Sequence, residues 1–366
     1  MKRPEVLILR EPEIRALLDP RSCIAAMEQA FAAYSTGRAQ LPAVIHLDVP
    51  ENEVPGGTAA QNRGEIHVKA GYLNGGPYYA VKIVSGFPNN PQLGLPANDG
   101  MIVVFDAHTG APAAFLLDNG FITDFRTGAA GAVAAKYLAR AEISIVAVVG
   151  TGAQARHQVE MLALVRSFDE VRVWGRDLDK ARARADDLTK RRAEESTSKA
   201  SDMSVRPTHP IKRGGQLPAC NFLVSESVRA AVDGADVVIT VTASREPLVR
   251  AAWLKPGVTV IAVGSDGPDK QELDVDVLAR ADKIVADSIP QCLRLGEIHH
   301  AVERGSIAKE KLYAELGEIT AGLKPGRTSE TEIIVCDLTG VGVQDVAAAS
   351  LVLERAKAED RGERIL

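Results

Sequence analysis

The sequence has few of the features that mark secreted, membrane-bound or nucleic-acid-binding chains. Its 366 residues contain four cysteines, Cys23, Cys220, Cys292 and Cys336, and no two are close enough to form a Cys-x-x-Cys pair. That scatter argues against a disulfide framework or a cysteine metal centre. It fits four buried free thiols in a reducing compartment, so a cytoplasmic location is expected. Long apolar runs are also missing. Val6-Leu-Ile-Leu9 is too short for the core of a signal peptide, and nothing later approaches the ~20 residues of a membrane span. Neither sign of charge dominates: the formal net charge is −5 and the pI about 5.9. No electrostatic argument therefore favours nucleic acid or anionic lipid as a partner. Internal repeats and heptads are absent too. What is left, 46% hydrophobic and 25% charged, is an ordinary globular composition long enough for two domains.

The strongest positive signal lies near the middle. Ile143-Ser-Ile-Val-Ala-Val-Val149 reads as a buried parallel strand, Gly150-Thr-Gly-Ala-Gln-Ala155 as a tight turn, and Arg156 to Val165 as a helix. Strand, Gly-x-Gly-x-x-Ala and helix in that order make the dinucleotide-binding fingerprint. Gly150 permits the turn, Gly152 lets backbone N–H groups approach a pyrophosphate, and Ala155 keeps helix and strand close. The helix N-terminus supplies partial positive charge. A strand–helix turn that needs glycine and binds nothing is the plainer alternative.

Around this core the chain changes character twice. Residues 1–35 carry a helical pattern at Ile24, Met27, Ala30, Phe31 and Tyr34, with Ser22 as an expected N-cap. From about residue 41 short alternating segments follow one another between Gly, Pro and Asn clusters, and residues 101–118 read as a hairpin. An Ala/Gly-rich helix at 122–140 leads into the fingerprint. Strands at 171–174, 236–241, 258–263 and 283–286 then alternate with helices. Residues 196–219 lack periodicity and read as a mobile surface insertion. Near Glu332–Leu338 the alternation is expected to end, and a final helix is expected from Gly340 to Ala358. The resulting fold class is α/β, with a Rossmann-type nucleotide-binding domain (134–326, carrying the insertion at 196–219) inserted into a strand-rich α+β substrate and dimerisation domain (1–133 and 327–366).

Several residues have chemistry that the architecture alone does not require. Lys69, Lys82 and Arg126 are cations in an otherwise apolar half, with Lys82 inside a strand and Arg126 at a helix start. A buried cation needs an anion, and either a substrate carboxylate or an internal salt bridge meets that need. Asp266 follows a parallel strand in Val263-Gly-Ser-Asp266, where catalytic loops sit in open α/β sheets. It either moves a proton beside a nicotinamide or caps the next turn. The second strand ends in Gly175-Arg176 where an NAD-binding domain usually places an acid. That pattern leans toward a 2′-phosphate and NADP(H), while Arg176 as a solvated or adenine-stacking side chain, with Asp177 reaching the ribose, stays open. His299-His300 points to packing or surface roles rather than a metal, because adjacent helical side chains diverge.

Taken together these segments resemble the ornithine cyclodeaminase/μ-crystallin family. The matching pieces are Ala80-Val-Lys-Ile-Val84, Leu117-Asp-Asn-Gly-Phe-Ile-Thr-Asp-Phe-Arg-Thr127, Val149-Gly-Thr-Gly-Ala-Gln154, Ala262-Val-Gly-Ser-Asp266, Glu315-Leu-Gly-Glu318 and Asp337-Leu-Thr-Gly-Val-Gly342. Gly86-Phe-Pro-Asn-Asn-Pro91, Trp174-Gly-Arg-Asp177 and Arg294-Leu-Gly-Glu-Ile-His-His300 are similar to a branch of ectoine-utilisation cyclodeaminase-like proteins and iminosuccinate reductases. The resemblance implies a homodimer built through the strand-rich domain, an NAD(H) or NADP(H) cofactor and a small amino- or imino-acid substrate. It gives Lys82 and Arg126 carboxylate-binding roles and Asp266 the acid/base position. Two departures matter: the 196–219 insertion has no counterpart in the family pattern, and the arginine that cyclodeaminases carry near Gln40–Val44 is not evident. Lys69 stands as a replacement cation, with room for a second carboxylate.

The expected activity is therefore NAD(P)H-dependent reduction of a small α-imino acid, iminosuccinate-like or a ketimine. Asp266 and Lys82 are the expected catalytic residues, and Lys69, Lys82 and Arg126 the substrate-binding ones. Thr127, Gly150, Thr151, Gly152, Ala153, Gln154, Arg176, Val241, Thr242 and Gly264 are expected around the cofactor, with no metal. The alternatives are an NAD-dependent ornithine cyclodeaminase, forming proline and ammonia, and a non-catalytic NAD(P)-binding protein.

Overall fold

Period-two alternation in the first third of the chain becomes one sheet, and the β-branched runs of the middle become another. The computed structural model describes residues 5–52, 62–202 and 220–365. Two compact units result, residues 1–126 with 342–366, and residues 127–341.

The first unit begins with β1 (Val6–Arg10), α1 (Glu11–Leu17) and α2 (Pro20–Ser35). It continues with β2 (Ala39–Gln40), β3 (Ile45–Asn52), β4 (Asn62–Leu73), β5 (Tyr78–Gly86), β6 (Asn98–Asp106) and β7 (Pro112–Leu117). After the second unit the chain returns as α11 (Gly342–Ala358) and β16 (Glu363–Ile365). The sheet runs β16-β1-β7-β6-β5-β4-β2, with β3 also on β4. Its pairs are antiparallel except β1 with β7. In α2 the cap is Asp19, not Ser22. The Asp19 carboxylate accepts from the Ser22 N–H at 2.8 Å, and Pro20 takes the first turn, where its missing N–H costs nothing. The apolar spacing read from the sequence is the buried face, with Met27, Ala30 and Phe31 at 0% exposure.

Helix α3 (Phe121–Leu138) carries the chain across the unit boundary at Arg126/Thr127. The second unit then winds through β8 (Ile145–Val149), α4 (Ala153–Leu162), β9 (Glu170–Trp174), α5 (Leu178–Asp202) and β10 (Asn221–Val224). Next come α6 (Val228–Val232), β11 (Val237–Thr240), β12 (Thr259–Ala262), α7 (Val275–Arg280) and β13 (Lys283–Ala286). The unit closes with α8 (Ile289–Cys292), α9 (Gly296–Glu303), β14 (Leu312–Glu315), α10 (Leu316–Thr320) and β15 (Ile334–Asp337). Its strand order is β10-β9-β8-β11-β12-β15-β13-β14, and every pairing is parallel. Strands β11, β12, β13 and β15 are buried at every residue, which explains why they read as unbroken apolar runs. The order reverses between β8 and β11, the topological switch point of a doubly wound sheet.

Two expectations need correction. Glu332–Leu338 does not leave the α/β pattern: β15 lies between β12 and β13, with Val260 opposite Val335 and Ile284 opposite the same residue. The boundary therefore falls at 341/342 rather than 326/327, and on the other side at 126/127 rather than 133/134. The expected irregular insertion at 196–219 is helical at its start, because α5 runs on to Asp202. Residues 203–219 lie outside the described residues. All four cysteines are buried and free, and among the described residues no helix is long and apolar enough to cross a membrane.

Candidate functional site

In the first unit, Lys82 of β5 and Arg126 of α3 meet the same carboxylate. The Lys82 ammonium lies 2.9 Å from Asp345 Oδ2 and also donates to Thr123 Oγ1 at 3.2 Å. Arg126 donates through Nε to Asp345 Oδ1 at 3.0 Å and through a terminal nitrogen to Gln344 Oε1 at 3.2 Å. The three charged side chains are 5% exposed or less. Lys69 stands directly opposite Lys82 in the β4–β5 ladder, so both side chains leave the same face of the sheet. Two buried cations share one carboxylate, and a third cation sits across the ladder from one of them. Burial lowers the Lys82 pKa to about 7, with Asp345 opposing and Arg126 and Lys69 reinforcing the shift. The pKa of Asp345 is lowered: its burial works against this, and the neighbouring Lys82 and Arg126 outweigh it. Close by in sequence, Asp118 caps α3 through the Ile122 N–H at 2.8 Å, and burial raises its pKa to about 6.

Asp345 is a residue that sequence reading missed. Its signal was an acid at the first turn of a helix otherwise lined with Val and Ala, where Val343, Val346 and Ala347 are buried with it. Of the two accounts open for the buried cations, the internal salt bridge is present, and it neutralises one of the two charges.

In the second unit, the glycine turn follows β8 at the switch point. Gly150 has φ +133°, and a Cβ there would fall 2.7 Å from the Val241 carbonyl oxygen. Gly152 caps α4 without any side-chain hydrogen bond, while Gly152 and Ala153 are exposed. An anion at this helix end meets backbone N–H groups with no competing side chain. Thr151 packs so tightly on Gly175 that a Cβ on the glycine would lie 2.5 Å from the threonine methyl. A side chain at position 175 would therefore have to displace Thr151. Asp177 is engaged elsewhere, accepting from the Asp179 and Lys180 N–H groups at the start of α5. Arg176 is exposed, and Thr151, Lys180, Ala183 and Arg184 line a recess of ≈ 230 Å³. Arg184 donates to the Thr151 carbonyl and pairs with Asp187 at 2.7 Å. Gln158 fixes the start of this region from behind by donating to the Thr127 carbonyl at 3.0 Å.

The loops after β11 and β12 hold Val241, Thr242, Gly264 and Asp266. Asp266 is 57% exposed and pairs with Lys270 at 2.6 Å. Six residues further on, Glu272 is fully buried, and burial raises its pKa to about 7. The two histidines hold the end of this loop. His299 Nε2 lies 3.0 Å from the Pro268 carbonyl and His300 Nε2 lies 2.9 Å from that of Lys270. Their packing role agrees with the sequence reading, but the expected divergence does not occur: the ring centroids lie 3.8 Å apart, and both rings hold the loop that carries Asp266. The structure thus gathers Lys82 and Arg126, with Lys69 beside them, in the first unit. It gathers Gly150 to Gln154, Val241, Thr242, Gly264 and Asp266 at the carboxyl ends of the parallel strands in the second. Among the described residues one group has side-chain atoms close enough together that they could hold a metal ion, His46, Glu65 and His67 on the β3–β4 ladder.

A doubly wound parallel sheet with a bare glycine turn at its switch point defines a Rossmann-type protein, here interrupting a strand-rich unit in which two buried cations pair with one carboxylate. The chain belongs to the Ornithine cyclodeaminase/mu-crystallin family, whose model matches residues 5–206 and 213–360. Its curated relatives include a putative dehydrogenase of Rhizobium meliloti, 43% identical, with 97% of each chain covered. An uncharacterized cyclodeaminase of Sinorhizobium fredii is 41% identical over 98% of each, and an alanine dehydrogenase of Archaeoglobus fulgidus 36% identical over 99% and 98%. Among solved structures, an archaeal alanine dehydrogenase dimer with bound NAD superposes with a TM-score of 0.83 at 34% identity over 99% of each chain. A Thermococcus litoralis Δ1-pyrroline-2-carboxylate reductase with NADH and L-proline gives 0.83 at 30% identity over 98% and 100%. The iminosuccinate reductase of Paracoccus denitrificans with NAD⁺ gives 0.80 at 28% over 99% and 100%.

Proposed function

We propose that this chain is a nicotinamide-dependent oxidoreductase that reduces a small α-imino acid to the corresponding amino acid. The observation that carries the reading is the charge balance at Lys82, Arg126 and Asp345. Two buried cations against one carboxylate leave a site suited to one more anion. Alanine, proline and iminosuccinate, named in the relatives and neighbours, all carry a carboxylate beside the carbon that bears nitrogen.

In this reading Lys82 and Arg126 hold the α-carboxylate, and Lys69 receives a second carboxylate where the substrate has one. Thr123, Gln344 and Asp345 fix the two cations in place. When bound, the reduced nicotinamide supplies the hydride for the imine carbon. Gly150, Thr151, Gly152, Ala153 and Gln154 seat the pyrophosphate, and Thr127, Val241, Thr242 and Gly264 complete the surroundings of the cofactor. Asp266 stabilises the iminium charge or moves its proton. Lys82, with its pKa lowered to about 7, is able to exchange a proton near neutrality. Arg176, exposed after β9 where Gly175-Arg176 stand in place of an acid, supports a lean toward NADP(H). The neighbours that name a cofactor hold NAD⁺, NAD or NADH, and that supports NAD(H).

A homodimer in the cytoplasm is part of the same reading. The face of the first sheet opposite Lys82 carries a cross-strand row of Ile45, Val68, Ile83 and Met101, with Leu47 beside it. Ile45, Leu47, Ile83 and Met101 are between 39% and 55% exposed, a patch that a second copy would cover.

The test offers the protein NADH or NADPH with iminosuccinate, pyrroline-2-carboxylate, or pyruvate plus ammonium, and separately NAD⁺ with ornithine. Cofactor oxidation matched by amino-acid formation is the expected result. A second reading, ornithine cyclodeaminase, is favoured by Asp266 and by the 41%-identical relative named a cyclodeaminase. Proline and ammonia from ornithine without net change in the cofactor would put it first. Cofactor binding with no turnover would favour the non-catalytic reading.

A further inference from the structure

The residues that line the carboxyl ends of β11 and β12 are joined by a side chain that lies behind them. Glu272 Oε1 accepts from the Thr242 N–H at 2.5 Å and from the Thr242 hydroxyl at 2.7 Å, while Oε2 accepts from the Gly264 N–H at 2.9 Å. One carboxylate therefore holds the loop after β11 with one oxygen and the loop after β12 with the other. The loops approach so closely that a Cβ on Gly264 would lie 2.2 Å from the Thr242 carbonyl oxygen.

Glu272 is itself held by a second carboxylate, and that one by a third. Glu297 accepts from the N–H groups of Glu272 and Leu273 at 2.7 and 2.9 Å. Asp337, at the end of β15, accepts from those of Glu297 and Ile298 at 2.8 and 2.9 Å. The three side chains are at most 1% exposed. Among the described residues no cation pairs with any of them, so backbone N–H groups are their compensation.

We propose that Glu272 is a positioning residue: it locks the Thr242 and Gly264 loops together, through a relay anchored by Glu297 and Asp337, and so fixes the surface on which the nicotinamide end of the cofactor rests. The inference depends on the reading above for the cofactor, and not for the clamp itself. Ligands of doubly wound sheets bind outside the carboxyl ends of the strands, and these two loops leave the two strands on one side of the switch point. Gly264 also begins the loop that reaches Asp266, and His299 and His300 hold the other end of that loop. Releasing Glu272 frees the near end only.

The test is Glu272→Gln, which keeps shape and one oxygen but sets an amide NH₂ against one of the N–H donors. Two readouts are needed. Fluorescence titration with NADH and NADPH is expected to show a Kd about tenfold weaker for the cofactor the wild type prefers. The KM for the imine should change less than twofold. Hydrogen exchange should quicken in peptides covering 240–244 and 262–266 and stay unchanged across β8. Glu297→Gln, one step back in the relay, should move the same readouts in the same direction by about threefold. A Glu272→Gln protein with a lower melting point but unchanged Kd and unchanged exchange in those peptides would overturn the proposal. Wild-type protein that binds neither NADH nor NADPH would overturn the cofactor reading instead, and the exchange data alone would then decide the clamp.

Discussion

The two units bury charge in opposite ways. In the first, Lys82, Arg126 and Asp345 compensate one another by direct ion pairing, and every member is needed by the others. In the second, Glu272, Glu297 and Asp337 are all acids, and backbone N–H groups do the compensating. The first arrangement is costly to break, because removing one member strands the rest. The second is easily neutralised, because each carboxyl gives up its charge by taking a proton. The pKa directions follow this division. That of Asp345 is lowered, whereas burial raises that of Glu272 to about 7 and that of Asp337 to about 8. A cluster in which two cations pair with one carboxylate is suited to the anionic substrate proposed above. A cluster of clamped acids is suited to holding loops still.

The largest break is Asp345→Ala. It leaves two buried cations with no carboxylate, and stranding one buried charge typically costs about 3–5 kcal/mol. Urea unfolding should show the first unit destabilised by about that amount, with the parallel sheet of the second less affected by hydrogen exchange. Asp345→Asn keeps the hydrogen-bond acceptor and should lie between wild type and alanine. If Asp345→Ala unfolds like the wild type, the cations are not buried at its expense and the comparison fails.

Next in size are Lys82→Met and Arg126→Gln, whose effects should appear in activity. Losing one charged partner of a bound carboxylate typically costs 2–5 kcal/mol, so kcat/KM for the imine should fall at least about thirtyfold. The Kd for the nicotinamide cofactor should hold within about twofold, since the residues proposed to seat it belong to the second unit. A parallel loss of cofactor affinity would show that the two sets of residues do not divide the work in this way.

Much of the contrast could be read in the sequence, and the rest fails for a physical reason. Periodicity found the buried parallel strands and the glycine turn, because both are properties of consecutive residues. Lys82 and Arg126 stood out because a cation in an apolar run is locally anomalous. Asp345 lies 263 residues from Lys82, and no local pattern records a pairing over that separation. Glu272 was missed because it follows Asp269-Lys-Gln and looks like one more polar loop residue, while in the fold it is 0% exposed. The strand at Ile334–Asp337 was assigned to the wrong half for a related reason. A short apolar strand shows that it is buried, and pairing alone shows in which sheet.

The pH dependence gives a smaller effect with opposite signs in the two units. Asp337 and Glu272 have pKa values raised above those of the unfolded chain, so their contribution is complete below about pH 4 and is lost as pH rises to about 8. Lys82 has a lowered pKa. Its burial destabilises the fold below about pH 7, and that penalty is relieved as pH rises from 7 to 10.5. Hydrogen exchange resolved by unit should therefore show the second unit losing stability from pH 5 to 8, while Lys82 adds stability to the first above pH 7. Asp337→Asn imitates the neutral acid and should flatten the first of these slopes. An unchanged slope would mean that Asp337 does not titrate in this range.

The smallest effect concerns an ion pair that is open to water, on the loop after β12. Asp266 and Lys270 lie 2.6 Å apart, but their side chains are 57% and 29% exposed. Water already stabilises both charges, and exposed pairs contribute about 0–1 kcal/mol however short they are. Lys270→Met should therefore shift stability by no more than about 0.5 kcal/mol, against several times that for the buried carboxylate Asp345. Its effect should be kinetic. Without the ammonium, Asp266 binds its proton more readily, and the acid limb of the pH–rate profile should move to higher pH with kcat at the optimum changed about twofold or less. Asp266→Asn should leave stability equally untouched while abolishing that limb. If Asp266→Asn keeps the full rate and the limb, Asp266 is a turn residue with a surface partner, and proton handling passes to Lys82.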